Sequence, residues 1–212
     1  MTNVRTIGIL GAGKLGIVLS QLALKAGYNV YVSGSGDPEK IRLSVKVLAP
    51  GAVAATSEEV VKESDVVILA FPLSKYRNIP VEALADKLII DATNYWWEVD
   101  GAREDFLNPE ESSSMAIQKF LSKSRVVKAL NHMGYHDLYD ETRPAGAAGR
   151  KAIAVAGDDE QDIKIVSDIV DTLGFDPVCI GNLASGVKLE PGGKVFGANE
   201  DAETLTDLLK AK

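Results

Sequence analysis

The chain has 212 residues, 46% of them hydrophobic and 25% charged, a globular composition that excludes a disordered or fibrous class. Its net charge of -7 excludes nonspecific attraction to nucleic acid or to an anionic membrane surface. One cysteine, Cys179, excludes an internal disulfide framework and a multi-cysteine metal site, and its place in the apolar run 177–180 predicts a buried strand position rather than a reactive thiol. Residues 4–10 open the pattern as a short buried strand. Residues 1–10 lack the basic start and longer apolar core of a signal peptide, and no stretch reaches membrane-span length, so a soluble cytoplasmic protein is expected. Gly11-Ala12-Gly13-Lys14-Leu15-Gly16 follows, and residues 15–26 repeat apolar side chains at helical spacing until Gly27 stops them.

That order of strand, glycine turn and helix matches the dinucleotide fingerprint. The first glycine allows the tight turn, the second lets backbone approach a pyrophosphate, and the third lets helix and strand pack closely. Phosphates would sit on the N–H groups and positive dipole of the helix start. The bland alternative is a tight turn without a ligand, which the flanking strand and helix disfavour.

Residues 29–32 read as a second strand, Ser33-Gly34-Ser35-Gly36 as a polar turn, and Asp37-Pro38 as the start of a helix that Pro50-Gly51 breaks. A weak strand at 52–55 and a short helix from Ser57 to near Ser64 come next. The apolar run 65–70 predicts a strand buried on both faces, ended by Phe71-Pro72, and residues 87–91 repeat it after a loop and short helix. Residues 100–111 read as loop, Ser112-Ser113-Ser114 as the cap of a helix through Leu121, and 125–130 as a sixth strand. A long connection, 131–150, carries both histidines, a helical turn near 137–141 and a flexible tip at 144–149. Strand, helix and strand follow at 151–156, 158–173 and 176–180, then a glycine-rich loop, 181–197, and an amphipathic helix, 200–210. The expected fold is α/β, a doubly wound, mostly parallel sheet. Residues 1–150 are expected to form the NAD(P)-binding core, and residues 151–212 a small C-terminal βα extension packed on the same sheet.

Ligands of such sheets bind outside the carboxyl ends of the strands. An NAD site usually places Asp or Glu on the second strand about 20 residues past the glycines, whereas here the window reads Tyr31-Val32-Ser33-Gly34-Ser35. With no carboxylate to repel a 2′-phosphate, and with two hydroxyls to hold it, NADP is favoured and NAD is the alternative; otherwise Ser33 and Ser35 are plain turn residues. Asp37 and Glu39 would oppose that phosphate, and Lys40 and Arg42 would offset them. The fourth strand ends in Ala70-Phe71-Pro72, where Phe71 lies against the cofactor or in the core. The fifth leads into Thr93 and Asn94, placed to hydrogen-bond a carboxamide or ribose, and then Tyr95-Trp96-Trp97. One of these aromatics is expected inside, the others facing the cleft as a wall for a flat second substrate.

Asn131 occupies the end of the sixth strand, and His132 and His136 follow. Either histidine is a general acid or a loop residue without catalytic duty. No Tyr-x-x-x-Lys pair, Walker lysine or nucleophile elbow occurs, and no metal-ligand spacing, so no metal is expected. Hydride transfer is the reaction such a site can run by positioning alone.

With these motifs in one order, the chain resembles the NADPH-dependent deazaflavin (coenzyme F-420) reductase-like family over nearly its full length. The likeness rests on the glycine turn at 11–16, Asp91-Ala92-Thr93-Asn94-Tyr95, Val127-Lys128-Ala129-Leu130-Asn131, Arg143-Pro144-Ala145-Gly146, Ala156-Gly157-Asp158-Asp159, Gly174-Phe175-Asp176-Pro177 and Glu190-Pro191-Gly192. It implies a Rossmann-type domain, NADP(H) binding, direct hydride exchange with a flat redox partner such as a deazaflavin or flavin, and a homodimer. The fold is similar to the reductase domain of the STEAP metalloreductases, where a flavin takes the hydride. Many relatives carry Arg where this chain has Gly36. The competing readings are a reductase of a small carbonyl or imine and an NADPH-binding sensor without turnover. A small-molecule substrate is expected, with no nucleic-acid or membrane partner.

Overall fold

Successive side chains of a strand point to opposite sides, so a continuous apolar run can feed two cores at once. The structure, a computed structural model, describes residues 4–108 and 111–211. Its strands β1 (Thr6–Leu10), β2 (Asn29–Ser33), β3 (Val53–Ala54), β4 (Val66–Leu69), β5 (Leu88–Asp91) and β6 (Arg125–Lys128) form one parallel sheet in the order β3-β2-β1-β4-β5-β6. The chain winds outward from β1 to β3, returns to β4 on the far side of β1, and winds outward again. Strand order therefore reverses between β1 and β4, and that reversal opens a crevice at their carboxyl ends.

The helices are α1 (Lys14–Lys25), α2 (Glu39–Leu48), α3 (Ser57–Glu63), α4 (Trp97–Asp100), α5 (Ser113–Phe120), α6 (Tyr135–Asp140), α7 (Glu160–Leu173) and α8 (Ala202–Lys210). Ile7, Ile9, Val66, Ile68, Leu88 and Ile90 face the core made with α1, α2, α6 and α7. Their neighbours Leu10, Val67, Leu69 and Ile89 face the second core, made with α3, α5 and a 3-10 helix at Leu73–Asn78. Short polar side chains set the helix starts. The Asp37 carboxylate accepts from the Glu39 N–H at 2.9 Å, Thr56 and Glu59 form a reciprocal capping box, Ser112 caps α5 and Asp159 caps α7. The stretch expected as loop at 100–111 holds the end of α4 and a 3-10 turn at Arg103–Asp105; residues 109 and 110 lie outside the described residues.

The C-terminal unit differs from the expected extension of one sheet. β7 (Ala152–Val155) and β8 (Asp176–Cys179) form a separate two-stranded parallel sheet. One antiparallel bridge joins it to β6, where Lys128 and Ala156 exchange N–H···O bonds of 2.8 and 3.0 Å. Its core is nonetheless shared: Ile153 and Val155 pack with the α7 side of the large sheet, while Ala152 and Ala154 pack with Leu189, Val195 and Leu205. The glycine-rich loop holds a 3-10 helix, Leu183–Leu189, that buries both its end leucines. Cys179, expected to be buried, is exposed. Alternation along β8 decides this, because Val178 and Ile180 take the covered face and turn Cys179 away from it. Among the described residues, no helix is long and apolar enough to cross a membrane.

Candidate functional site

Each glycine of the turn has its own steric duty. Gly11 has φ +122°, and a Cβ there would lie 2.2 Å from the Ala70 carbonyl oxygen; a Cβ on Gly16 would lie 1.8 Å from the Gly11 oxygen. Gly13 differs, since a Cβ there would meet no atom within 4 Å. It opens α1 without a side-chain cap, and the first turn of α1 carries no acidic residue. The first N–H groups of α1 thus border open space at the crevice, the arrangement a pyrophosphate needs. Lys14 and Leu15 lie in that first turn, and the Lys14 ammonium sits 5.5 Å from the ring centre of Tyr135 on α6.

A cavity of about 540 Å³ spreads from this turn. One side is formed by Ala12, Gly13 and the serine turn, Ser33, Gly34, Ser35 and Gly36; the other is formed by Ala70, Phe71 and Pro72. Phe71 lines the cavity while packing on the second core. The Ser33 hydroxyl is 3.1 Å from that of Ser57, which also lines the cavity. The acids feared near the serine turn have other duties: Asp37 caps α2, and Glu39 pairs with Arg42. Lys40 is exposed on α2 and does not line the cavity. Sequence reasoning missed Ile41, Ser57, Lys75, Asn78 and Ile79, all in the lining. No motif marks them, because the segments that carry them reach the crevice only through the fold.

The ends of β5 and β6 are tied together by a buried charge pair and by two asparagines. Asp91 and Lys128 are register partners and fully buried. The Lys128 ammonium donates to Asp91 Oδ2 at 3.0 Å and to the Thr93 carbonyl at 2.5 Å. Asp91 also accepts from the Thr93 N–H and hydroxyl, and from the Ser114 hydroxyl at 2.6 Å. Thr93, expected to reach a carboxamide or ribose, is therefore spent inside this network and 2% exposed. Asn94 and Asn131 clasp one another across the strand ends. The Asn94 amide donates to the Asn131 carbonyl at 2.8 Å, and the Asn131 amide donates to Asn94 Oδ1 at 3.0 Å and to the Leu189 carbonyl at 2.8 Å. Two acceptors around its nitrogen fix the orientation of the Asn131 amide and leave Oδ1 without a partner among the described residues. Leu130 just before it has φ +64°, a left-handed conformation costly for a leucine that turns the chain sharply after β6.

The two histidines part company. His132 is fully buried, its Nε2 accepts from the Ala154 N–H at 3.0 Å, and burial pushes its pKa down to about 4. It is neutral at physiological pH and joins the two sheets, so it is not placed as a general acid. His136 is exposed on α6, its ring 4.3 Å from that of Tyr135. Of the aromatic triplet, Tyr95 packs inward and donates to the Gly101 carbonyl, whereas Trp96 and Trp97 are 46% and 66% exposed. Trp96 meets Phe196 edge-on at 5.5 Å.

The sequence of residues 6–95 matches the family model described as NADP oxidoreductase coenzyme F420-dependent. Over those residues the chain resembles that family. The family segment contains the glycine turn, the serine turn, the cavity lining and the end of β5; Asn131, both histidines and the small sheet lie beyond it. The chain is 26% identical over 187 residues to Metalloreductase STEAP3 of Rattus norvegicus, an alignment that covers 87% of this chain and 35% of that protein. It spans between about a third and a half of the length of the curated relatives it matches. Among solved structures, the hypothetical protein SMa0349 of Sinorhizobium meliloti superposes with a TM-score of 0.78 at 23% identity, covering 92% of this chain and 94% of that one. A protein of Arthrobacter sp. FB24, named by assignment alone as an F420-dependent NADP-reductase, superposes at 0.72 with 21% identity over 95% and 90% of the two chains. Both share the Rossmann-type architecture along nearly the whole chain.

Proposed function

We propose that the protein is an NADP(H)-dependent oxidoreductase that exchanges a hydride between nicotinamide and a flat redox acceptor such as a deazaflavin or flavin. The observation that carries this reading is the cavity at the strand reversal, where a glycine turn with open space at Gly13 stands beside a serine turn free of carboxylates. The residues fit the cofactor. The first turn of α1 would hold the pyrophosphate, Ser33 and Ser35 the adenosine ribose and its phosphate, and Phe71 and Pro72 the flank of the adenine. When bound, NADPH supplies a hydride, leaving NADP+ and an acceptor reduced by two electrons.

This chain's own task is orientation. The Asn94–Asn131 clasp and the exposed Trp96 stand at the ends of β5 and β6, the side toward which a dinucleotide anchored at Gly13 extends. An acceptor ring needs only to be held face to face there, and the loss of His132 as an acid agrees with a reaction that requires no side-chain proton donor. The reading includes a small-molecule redox substrate, a cytoplasmic setting and a homodimer, the last open to sedimentation measurements. Anaerobic incubation of the protein with NADPH and a panel of deazaflavin, flavin, quinone and ferric acceptors tests it. Oxidation of NADPH by one flat acceptor is expected; tight NADPH binding with no oxidation by any of them would reject turnover in favour of a sensor.

A further inference from the structure

A pocket that selects a 2′-phosphate needs a cation, and the serine turn does not provide one. Gly36 has φ +94° and open space around it, and Arg42 is paired with Glu39. Lys40 stays out of the lining. Lys75 is the one charged residue among the described residues that line the cavity, and it comes from the opposite wall. It sits in the 3-10 helix Leu73–Asn78, whose Leu73 and Tyr76 are buried in the second core and whose Lys75 N–H donates to the Pro72 carbonyl at 2.9 Å. The neighbouring acid Asp100 is occupied by the backbone N–H groups of Ser74 and Trp96. Lys75 is exposed and forms none of the ion pairs found among the described residues.

We propose that Lys75 is the specificity-determining residue for a 2′-phosphorylated adenosine, reaching across the cavity to the phosphate that Ser33 and Ser35 receive from the other side. The proposal rests on the dinucleotide reading of the cavity and adds to it the residue that separates NADP from NAD. A flexible ammonium suits a phosphate as a point charge, and a cation on the adenine side does the work that an arginine does when it comes from the serine turn.

Calorimetric titration of the full chain with 2′,5′-ADP and with 5′-AMP tests it, using the unaltered protein, Lys75→Met and Lys75→Arg. Methionine keeps the apolar stem and removes the charge, and thermal melting checks that the fold is intact. Lys75→Met is expected to weaken 2′,5′-ADP about tenfold, the loss of one charge-assisted contact, and to change 5′-AMP by less than about twofold. Lys75→Arg should restore most of the difference, and the variant without a charge should show a weaker salt dependence with 2′,5′-ADP. Equal losses with both ligands would overturn the proposal by making Lys75 a contact to the adenosine or its 5′-phosphate, and so would no loss with either. If Lys75→Met left both ligands unchanged while Gly13→Val abolished binding, the dinucleotide site would stand and only the assignment of Lys75 would fall. If the unaltered protein bound neither ligand, both would fall.

Discussion

Gly13 and Gly16 stand three residues apart in one motif and answer to different neighbours. A Cβ on Gly16 would collide with the Gly11 carbonyl inside the protein, whereas a Cβ on Gly13 would project into open space beside the cavity. Gly16→Ala is therefore expected to lower stability by about 1–3 kcal/mol, the usual cost of forcing an atom into packed structure. Gly13→Val should cost at most about 1 kcal/mol, as a poorer residue at a helix start, yet abolish NADPH binding. Urea unfolding and fluorescence titration of both variants separate the two effects; equal destabilisation by both would mean that Gly13 is structural too. These residues were legible in the sequence because a glycine turn is a local device, fixed by the strand before it and the helix after it. Lys75 and Ser57 were not legible, since only the return of the chain from β3 to β4 brings their segments to the same crevice.

At the scale of elements, the strand ends show where sequence reasoning misplaces polar residues. Thr93 looked like a hydrogen-bonding partner for a cofactor's carboxamide or ribose because a polar residue past a parallel strand faces either a bound molecule or another strand's polar end, and sequence spacing does not distinguish the two. The register does: Asp91 opposite Lys128 makes a buried pair that consumes Thr93 and Ser114. Removing either partner leaves the other charge buried, a change worth about 3–5 kcal/mol. Asp91→Ala should be the more damaging, because Lys128 then keeps the Thr93 carbonyl and a distant Ser113 hydroxyl, while Asp91 without Lys128 keeps three hydrogen-bond donors. The double variant Asp91→Leu with Lys128→Met should be more stable than the summed losses of Asp91→Leu and Lys128→Met measured singly predict, by urea unfolding. Strict additivity would mean that the pair is not coupled. Strand and helix positions themselves were legible almost throughout from apolar runs and caps. The small sheet was not, because a single antiparallel bridge leaves no periodic signature, and Cys179 was misread because an apolar run does not reveal which face of an edge strand is covered.

The whole molecule depends on the joint between its two sheets, and His132 is part of it. Its Nε2 accepts from Ala154 of β7, its carbonyl accepts from the Gly197 N–H at 2.7 Å, and its neighbour Asn131 ties β6 to Leu189. In the unfolded chain His132 titrates near its ordinary 6.5, and in the folded protein near 4, because burial disfavours the cation. Between these values the unfolded chain binds a proton that the folded protein refuses, so stability from this group is complete above about pH 6.5 and is lost as pH falls toward 4. The total is on the order of 3 kcal/mol. Asp162, whose carboxyl is held up by burial, works in the opposite sense, so the comparison of variants is what isolates the histidine. His132→Gln, measured by urea unfolding at pH 7.5 and pH 4.5, should lose much less stability on acidification than the unaltered protein does. An unchanged pH dependence would show that His132 is not the group responsible. The same variant decides between a joint and an acid. Because His132 is buried at the joint and lines no part of the cavity, His132→Gln should keep NADPH affinity and most turnover at pH 7.5. A loss of about 10²–10⁴-fold in turnover with normal NADPH binding is the signature of a general acid–base catalyst. It would replace the flat acceptor with a carbonyl or imine substrate that must be given a proton.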